Sequence, residues 1–339
     1  MAHINPPQIG RRRDDPTTVR QPEPDERRTA LAVLLTGRPT PDDPAVDHFI
    51  GFTERQGMNL GGLWAKYKDQ TPVSAVLIIP TPGRAAVVFI SPIFSRRHVE
   101  STSELMAAAI RAQDPGRMSL IQSLQDPSQR FERDALIQAG FSRLASLVYM
   151  RWGRTSRPTT AEAGKIVVKP GPVPGHSEPF EIDGRALTVF GWQEDRFELF
   201  AREIQANYKD TLDCPGLVGI RRIEDIIAGH KAVGRFDAGL WSAFYLDDRP
   251  VGVMLLNPLV DQPELELVYL GITPSFRGKG LASRLMRHAA LVAEARNYSG
   301  IHLAMDEQNT PAVRLYRGLG YRATGRKVAM IYTLPQSDL

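Results

Sequence analysis

Leu265-Glu266-Leu267-Val268-Tyr269-Leu270-Gly271-Ile272 is an apolar run that leads, through Thr273-Pro274-Ser275-Phe276, into Arg277-Gly278-Lys279-Gly280-Leu281-Ala282-Ser283. The run reads as a strand. Beyond it, Leu281, Leu285, Ala289 and Val292 recur at the spacing of one helix face. Two glycines at a strand-to-helix junction let backbone N–H groups point at an anion. The helix N-terminus adds partial positive charge, and Arg277 and Lys279 add full charges. Residues Arg277 to Ser283 are therefore expected to seat a pyrophosphate. The spacing Arg277-x-x-Gly280-x-Ala282 is neither the Gly-x-Gly-x-x-Gly fingerprint nor the Gly-x-x-x-x-Gly-Lys-[Ser/Thr] loop. A glycine turn with basic residues on a solvated face is the plainer alternative.

A second stretch lies downstream: Asn309-Thr310-Pro311-Ala312-Val313-Arg314-Leu315-Tyr316-Arg317-Gly318-Leu319-Gly320-Tyr321. It reads as one short helix. Asn309 or Thr310 can cap its start, Pro311 suits the first turn and Gly320 the left-handed stop. Capping explains these choices but not the tyrosine. The first stretch resembles motif A of the GNAT N-acetyltransferase superfamily. The second is similar to that superfamily's Asn-x-x-Ala-x-x-Leu-Tyr-x-x-x-Gly-[Phe/Tyr] motif, and the two occur in the family's order.

The chain has 339 residues, a length that suits two domains. Hydrophobic residues make up 42%, enough to bury real cores. No apolar run reaches membrane-span length, and residues 1 to 28 hold no apolar signal segment. A single cysteine, Cys214, excludes an internal disulfide and a cysteine metal cluster. A cytoplasmic setting with no metal and no membrane partner is the expectation. The net charge of +4 suits a nucleotide-like polyanion as well as a nucleic acid and does not choose between them.

Residues 1–28 are polar and rich in proline and arginine, and read as a disordered tail. Residues 154–180 carry many prolines and glycines and read as a linker. The flanking halves, 29–153 and 181–339, resemble each other. Ala75 to Pro80 and Ala85 to Ile90 read as a hairpin, and its second run ends in Ile90-Ser91-Pro92, against Ile272-Thr273-Pro274. Gly140 and Gly320 stand at the same offset as Met150 and Met330, and Pro92 and Pro274 at an offset two residues longer. This pattern is that of a duplication. The copies are unequal. Phe94-Ser95-Arg96-Arg97-His98 stands where the second copy has its glycine loop, and Leu136 stands where it has Tyr316. No glycine there lets the backbone approach a phosphate. The first copy reads as a degenerate scaffold.

In the second half a strand is expected near 186–190 and helices near 195–208 and 222–233. A hairpin of 241–246 and 251–256 follows, then the 265–272 strand, a strand at 301–305 and a final strand pair ending near Tyr332. This order predicts a mixed α/β sheet with helices on both faces. It matches the GNAT fold, so two tandem GNAT domains are expected, the first degenerate.

The resemblance implies acetyl-CoA as cosubstrate, held by Arg277, Gly278, Lys279, Gly280, Leu281, Ala282 and Ser283. Leu270, Gly271 and Ile272 would pair with the pantetheine arm, the N–H of Leu270 pointing at the thioester oxygen. Period two puts Glu266 on the face of Leu270. Glu266 is the candidate general base, although Glu264 and Glu266 also alternate with Leu265 and Leu267 as an exposed face would. Tyr316, protonated at neutral pH, is the candidate acid, or a ring packed in the helix face. Asn309 would cap and contact the cofactor. Arg314 is either a cofactor contact or a solvent-facing arginine.

Tyr208, Asp213 and Trp241, with Asp210 and Thr211, fall on the family's acceptor side. Acidic groups there would suit a cationic amine, while Asp210, Thr211 and Asp213 also read as an ordinary turn. Cys214 reads as a small filler.

The tandem arrangement is similar to that of the mycothiol synthase family, whose members acetylate a cysteinyl amine. Ala304 stands where that family carries a substrate-contacting tyrosine, and Leu256 and Asn257 lie where its lysine is sought. The architecture carries over and the substrate does not. The expected acceptor is a small cytosolic primary amine, or else a protein N-terminus or lysine, and the protein a monomer or homodimer. A non-catalytic acyl-CoA-binding regulator is the alternative from another class. Nucleic-acid binding through Arg11-Arg12-Arg13 is not expected.

Overall fold

The computed structural model describes residues 17–153, 181–182 and 185–335. The expected linker and residues 1–16 of the expected tail lie outside them. The chain forms two compact units, one of residues up to 79 together with 88–113, the other of 80–87 together with 114 onward. No described helix is long and apolar enough to cross a membrane.

In the first unit, strands β1 (Thr17–Arg20), β2 (Leu63–Lys68) and β3 (Thr71–Thr81) form antiparallel ladders, Thr17 opposite Lys68 and Leu63 opposite Leu77. Helices α1 (Arg27–Thr36), α2 (Pro44–Arg55) and α3 (Val99–Arg111) complete it. Asp43 starts α2 by accepting the Ala45 N–H, and Gly37 ends α1 in the left-handed region. Ala30 to Leu34 of α1 pack with Val46, Leu63, Ala65, Tyr67, Ala75 and Leu77. Residues 17–28, expected in the tail, instead form β1 and the start of α1, tied by Arg20 donating to Glu26 at 2.7 Å.

The second unit contains the first residues of β4 (Ala85–Ile90), then β5 (Leu120–Gln125), α4 (Arg130–Gln138) and β6 (Ser142–Gly153). A short pair, β7 (Glu181–Ile182) and β8 (Arg185–Ala186), precedes β9 (Thr188–Gly191), α5 (Phe197–Asn207) and α6 (Ile223–Lys231). Then come β10 (Trp241–Leu246), β11 (Arg249–Pro258), β12 (Leu265–Ile272), α7 (Leu281–Ala295), β13 (Gly300–Asp306), α8 (Thr310–Gly318) and β14 (Arg322–Thr333). The strands run in the order β5-β14-β6-β13-β12-β11-β10-β9. β12 and β13 are parallel, as are β4 and β5, while the remaining neighbours are antiparallel. The sheet is therefore mixed, as expected.

The element series β4-α3-β5-α4-β6 repeats as β12-α7-β13-α8-β14, which matches the duplication in the sequence. The closing strands are exchanged, however. β6, from the first copy, pairs with β13 of the second, and β14, from the second, pairs with β5 of the first. The expected final strand pair is one strand of 12 residues. Each half thus finishes its sheet with the other's last strand. Local sequence pattern does not encode this choice, because pairing partners are non-local.

Two cores sandwich the sheet. On one face Leu265, Leu267, Ile301, Leu303, Met305, Val148 and Met150 meet Leu281, Leu285, Ala289 and Val292 of α7 and Tyr316 of α8. The apolar face of α7 was read correctly from its spacing. On the other face Trp241, Ala243, Val253 and Leu255 meet Phe200, Ile204 and Ile227 of α5 and α6.

Candidate active site

β12 and β13 stay paired only at Leu265–Ile301 and Glu266–His302. Beyond Glu266, β12 continues against β11 alone, with Leu270 opposite Met254 and Ile272 opposite Gly252. The two parallel strands therefore part, and the β13-side edge of residues 267–272 carries no ladder. Such an edge can accept an extended ligand as an added strand. Leu270, Gly271 and Ile272 lie on it, where the sequence placed the pantetheine arm.

The strand also carries a bulge. Tyr269 stands opposite Leu255 and Leu267 opposite Leu256, so Val268 is an extra residue. The alternation flips there. Leu265, Leu267, Leu270 and Ile272 all pack on the α7 side, and Val268 and Tyr269 on the α5 side. Glu266 therefore lies on the face opposite Leu270, not the same face. A period of two holds only until an inserted residue resets it.

Gly271 is explained by crowding. A Cβ there would lie 2.6 Å from Tyr269 Oη and 2.7 Å from Asn207 Nδ2. Asn207 is buried, and its amide has no partner among the described residues. Tyr208 meets Tyr269 edge-on at 5.9 Å, and His230 stacks on Tyr269 at 5.6 Å. Burial, then the Arg221 charge, pushes His230 down to about 4, so it is neutral at pH 7.

The glycine loop has the geometry of an anion seat. Gly278 and Gly280 hold φ of 75° and 74°, and a Cβ on either would meet nothing, so backbone shape alone requires glycine. Gly280 caps α7 without any side chain, which leaves the first helical N–H groups, those of Leu281, Ala282 and Ser283, turned outward. Lys279 is exposed beside the Phe276 ring. Arg277 departs from the expectation of a free charge. Its guanidinium donates to three carbonyls: Ile272 at 3.0 Å, Asp210 at 3.0 Å and Asn207 at 2.8 Å. It ties the end of α5 to the loop. These residues fit a pyrophosphate held by main-chain amides, with Lys279 as the near cation.

Glu266 is half-buried, and its carboxyl has no hydrogen bond or ion pair among the described residues. Burial pushes it up to about 7. Glu264, two residues earlier, is the opposite case. It accepts from Arg151 Nε at 3.0 Å, from Ser299 Oγ at 3.0 Å and from His302, and Arg151 foremost holds it down to about 2. Two neighbouring carboxyls are thereby set apart, one structural and one poised near neutrality.

Tyr316 is buried against Tyr321 at 5.4 Å. Burial and then the charge of Asp213 keep its phenol well above the ordinary value, so it is protonated. Asp213 accepts the Asp306 N–H at 2.8 Å where β13 ends. The residue as a whole is exposed, but its carboxyl, turned to the end of β13, is desolvated, and this raises it above the ordinary value. Cys214 is pushed up to about 12, chiefly by burial, which makes it a poor nucleophile, as expected. Asn309 caps α8 by accepting the Ala312 N–H at 3.3 Å, and Arg314 is exposed.

Trp241 does not belong to the site. It is fully buried, packs on Trp192 at 5.1 Å and Phe236 at 5.0 Å, and donates to Asn257 at 2.8 Å. A tryptophan at a strand start reads alike as pocket wall or core, and here it is core. Conversely, the sequence reading missed Tyr149, Arg151 and His302. All three share the Glu266 face, two of them on β6 from the first half.

Comparisons with known proteins accord with this geometry. Residues 203–321 match the model of the Acetyltransferase (GNAT) family. A peptidyl-lysine N-acetyltransferase, YjaB, of Salmonella typhimurium is 36% identical over 90 residues, which cover 26% of this chain and 54% of that protein. N-acetylaspartate synthetase of Danio rerio is 33% identical over 90 residues, covering 26% of this chain and 31% of that protein. The chain thus spans about half the length of the first relative and about a third of the second. A GCN5-related N-acetyltransferase from Sphaerobacter thermophilus shares the fold over 95% of this chain and 98% of its own, at 17% identity and a TM-score of 0.57. The GNAT family match thus falls within the second half of this chain, around the β12–α7 loop and α8, and the likeness of fold extends over both halves.

Proposed function

We propose that the second half transfers an acetyl group from acetyl-CoA to a primary amine, with a small molecule as acceptor. The carrying observation is Glu266: a carboxyl at the last paired position before the β12–β13 gap, without a hydrogen bond or ion pair among the described residues and raised to about 7. Such a group takes a proton from an ammonium near neutral pH and so frees the attacking lone pair. Acetyl-CoA supplies an activated thioester. Main-chain amides of 278–283 hold its diphosphate, and the unladdered edge of β12 aligns its arm, with the Leu270 N–H directed at the carbonyl oxygen. Tyr316 gives its phenolic proton to the departing sulfur.

The names of the two relatives, a peptidyl-lysine acetyltransferase and a synthetase of N-acetylaspartate, both point to primary amines. A protein lysine is the second reading, favoured by the Salmonella relative. Free-thiol release from acetyl-CoA over a panel of small amines and lysine peptides tests both. Glu266→Gln and Tyr316→Phe should each slow release by about a hundredfold or more while acetyl-CoA binding persists. Unchanged release in both variants overturns the assigned roles, and binding without release in the wild type indicates a non-catalytic acyl-CoA regulator.

A further inference from the structure

On the Glu266 face, strand alternation lines up Glu266, His302 and Arg151 in one row and Ala304 and Tyr149 in the next. Their neighbours Leu265, Leu303 and Met150 point the other way, into the α7 core. The first row is closed by charge pairing, because Glu264 holds both Arg151 and His302. The second row is open. Ala304 is exposed in mid-strand, and Tyr149, directly opposite it, is half-buried with no hydrogen bond among the described residues.

Tyr149 lies within electrostatic reach of Glu266, and both burial and that charge keep its phenol protonated. Two strand spacings, about 10 Å, separate its strand from that of Glu266. Tyr149 also stands one row further along, so an acceptor of a few heavy atoms is the size that reaches from one side chain to the other across Ala304. Ala304, offering only a methyl group, leaves that space free.

We propose that Tyr149, carried in on the exchanged strand of the first half, is the acceptor-recognising side chain of the second half's site. Its O–H donates to an oxygen a few bonds from the reacting nitrogen, and Ala304 supplies the room. The acceptor class is then an amino alcohol or an α-amino carbonyl compound, not a plain alkylamine. This rests on the reading of Glu266 as base and adds an acceptor class to it. It also assigns the first half a role beyond scaffold, because the domain alone lacks this phenol.

The test uses the full chain and three probes: 2-aminoethanol, glycinamide and n-propylamine. In Tyr149→Phe, kcat/KM for the two oxygenated amines should fall about tenfold, the size of one lost hydrogen bond. The value for n-propylamine and the KM for acetyl-CoA should stay. In Ala304→Leu, the acceptor KM should rise for all three probes with acetyl-CoA affinity unchanged. Equal effects of Tyr149→Phe on all probes, or none, overturn the proposal, as does an unaltered acceptor KM in Ala304→Leu. If the wild type binds acetyl-CoA but releases no thiol, the transfer reading itself has failed. Calorimetry of the CoA-loaded protein then decides the present point: Tyr149→Phe must weaken glycinamide and spare n-propylamine, and any other pattern, including no binding of either, sinks it.

Discussion

Glu266 and Tyr316 stand on opposite faces of one sheet, on either side of the gap where β12 leaves β13. Tyr316 is anchored in the α7 core, and Glu266 points away from it. A thioester lying in the gap would meet a base from one face and an acid from the other. Proton removal and proton delivery then need not compete for one position.

The Glu266 carboxyl carries a sign that can be checked. Its ordinary value is 4.5 and the fold raises it to about 7, so folding favours the protonated form. Its contribution to stability is complete below pH 4.5 and is lost as pH rises through 7. Glu266→Gln should therefore stabilise the protein at pH 8 by about 1–3 kcal/mol, with the gain vanishing near pH 4. Urea unfolding at the two pH values measures this. Turnover of the wild type should climb through pH 7 as the base deprotonates.

Tyr316→Phe removes one oxygen. We expect kcat to fall by about 10²–10⁴ with acetyl-CoA binding intact, the usual range for a lost general acid. Because burial holds the phenol above its ordinary value of 10, the wild-type profile should show no falling limb from this group between pH 8 and 10. Steady-state kinetics across that range would expose such a limb.

Arg277 and Lys279 should separate. Arg277 spends its donors on the Ile272, Asp210 and Asn207 carbonyls. Arg277→Ala should lower both melting temperature and acetyl-CoA affinity, by about 1–3 kcal/mol in stability, and lysine should not rescue it because it lacks the fork. Lys279→Ala should weaken acetyl-CoA alone, and by less at high salt. Melting curves beside titrations at two salt concentrations distinguish the pair.

Arg151 couples the halves. It sits on β6 and pairs with Glu264 beside β12, so Arg151→Ala leaves a buried carboxylate without its main partner. A loss of about 1–3 kcal/mol is expected at pH 7. Glu264 is held down to about 2 against an ordinary 4.5, so its contribution is present above 4.5 and lost as pH falls toward 2. The variant and wild type should converge in acid, which pH-resolved denaturation can measure.

The left-handed glycines of the loop before α7, the buried face of α7 and the caps of α8 were legible because each depends on neighbours within a few residues. What the sequence hid was non-local. The bulge at Val268 turned Glu266 away from Leu270, and no local pattern marks it. The exchange of β6 and β14 brought Tyr149 and Arg151 onto the Glu266 face of the sheet from the far half of the chain. Trp241 was misplaced because aromatic character does not say which face of a strand is covered. Arg277 kept its place but changed its work, since charge alone does not reveal which carbonyls are near.

The central claim is that the main-chain amides around Gly278 and Gly280 grip the diphosphate of acetyl-CoA. Calorimetric titration of the full chain with acetyl-CoA tests it most directly, with Gly280→Ala alongside. At φ 74° an alanine costs about 1–2 kcal/mol in backbone strain. One saturable site, weakened about tenfold by that methyl group, is the result predicted. No heat from the wild type, or equal affinity in the two proteins, would contradict the account.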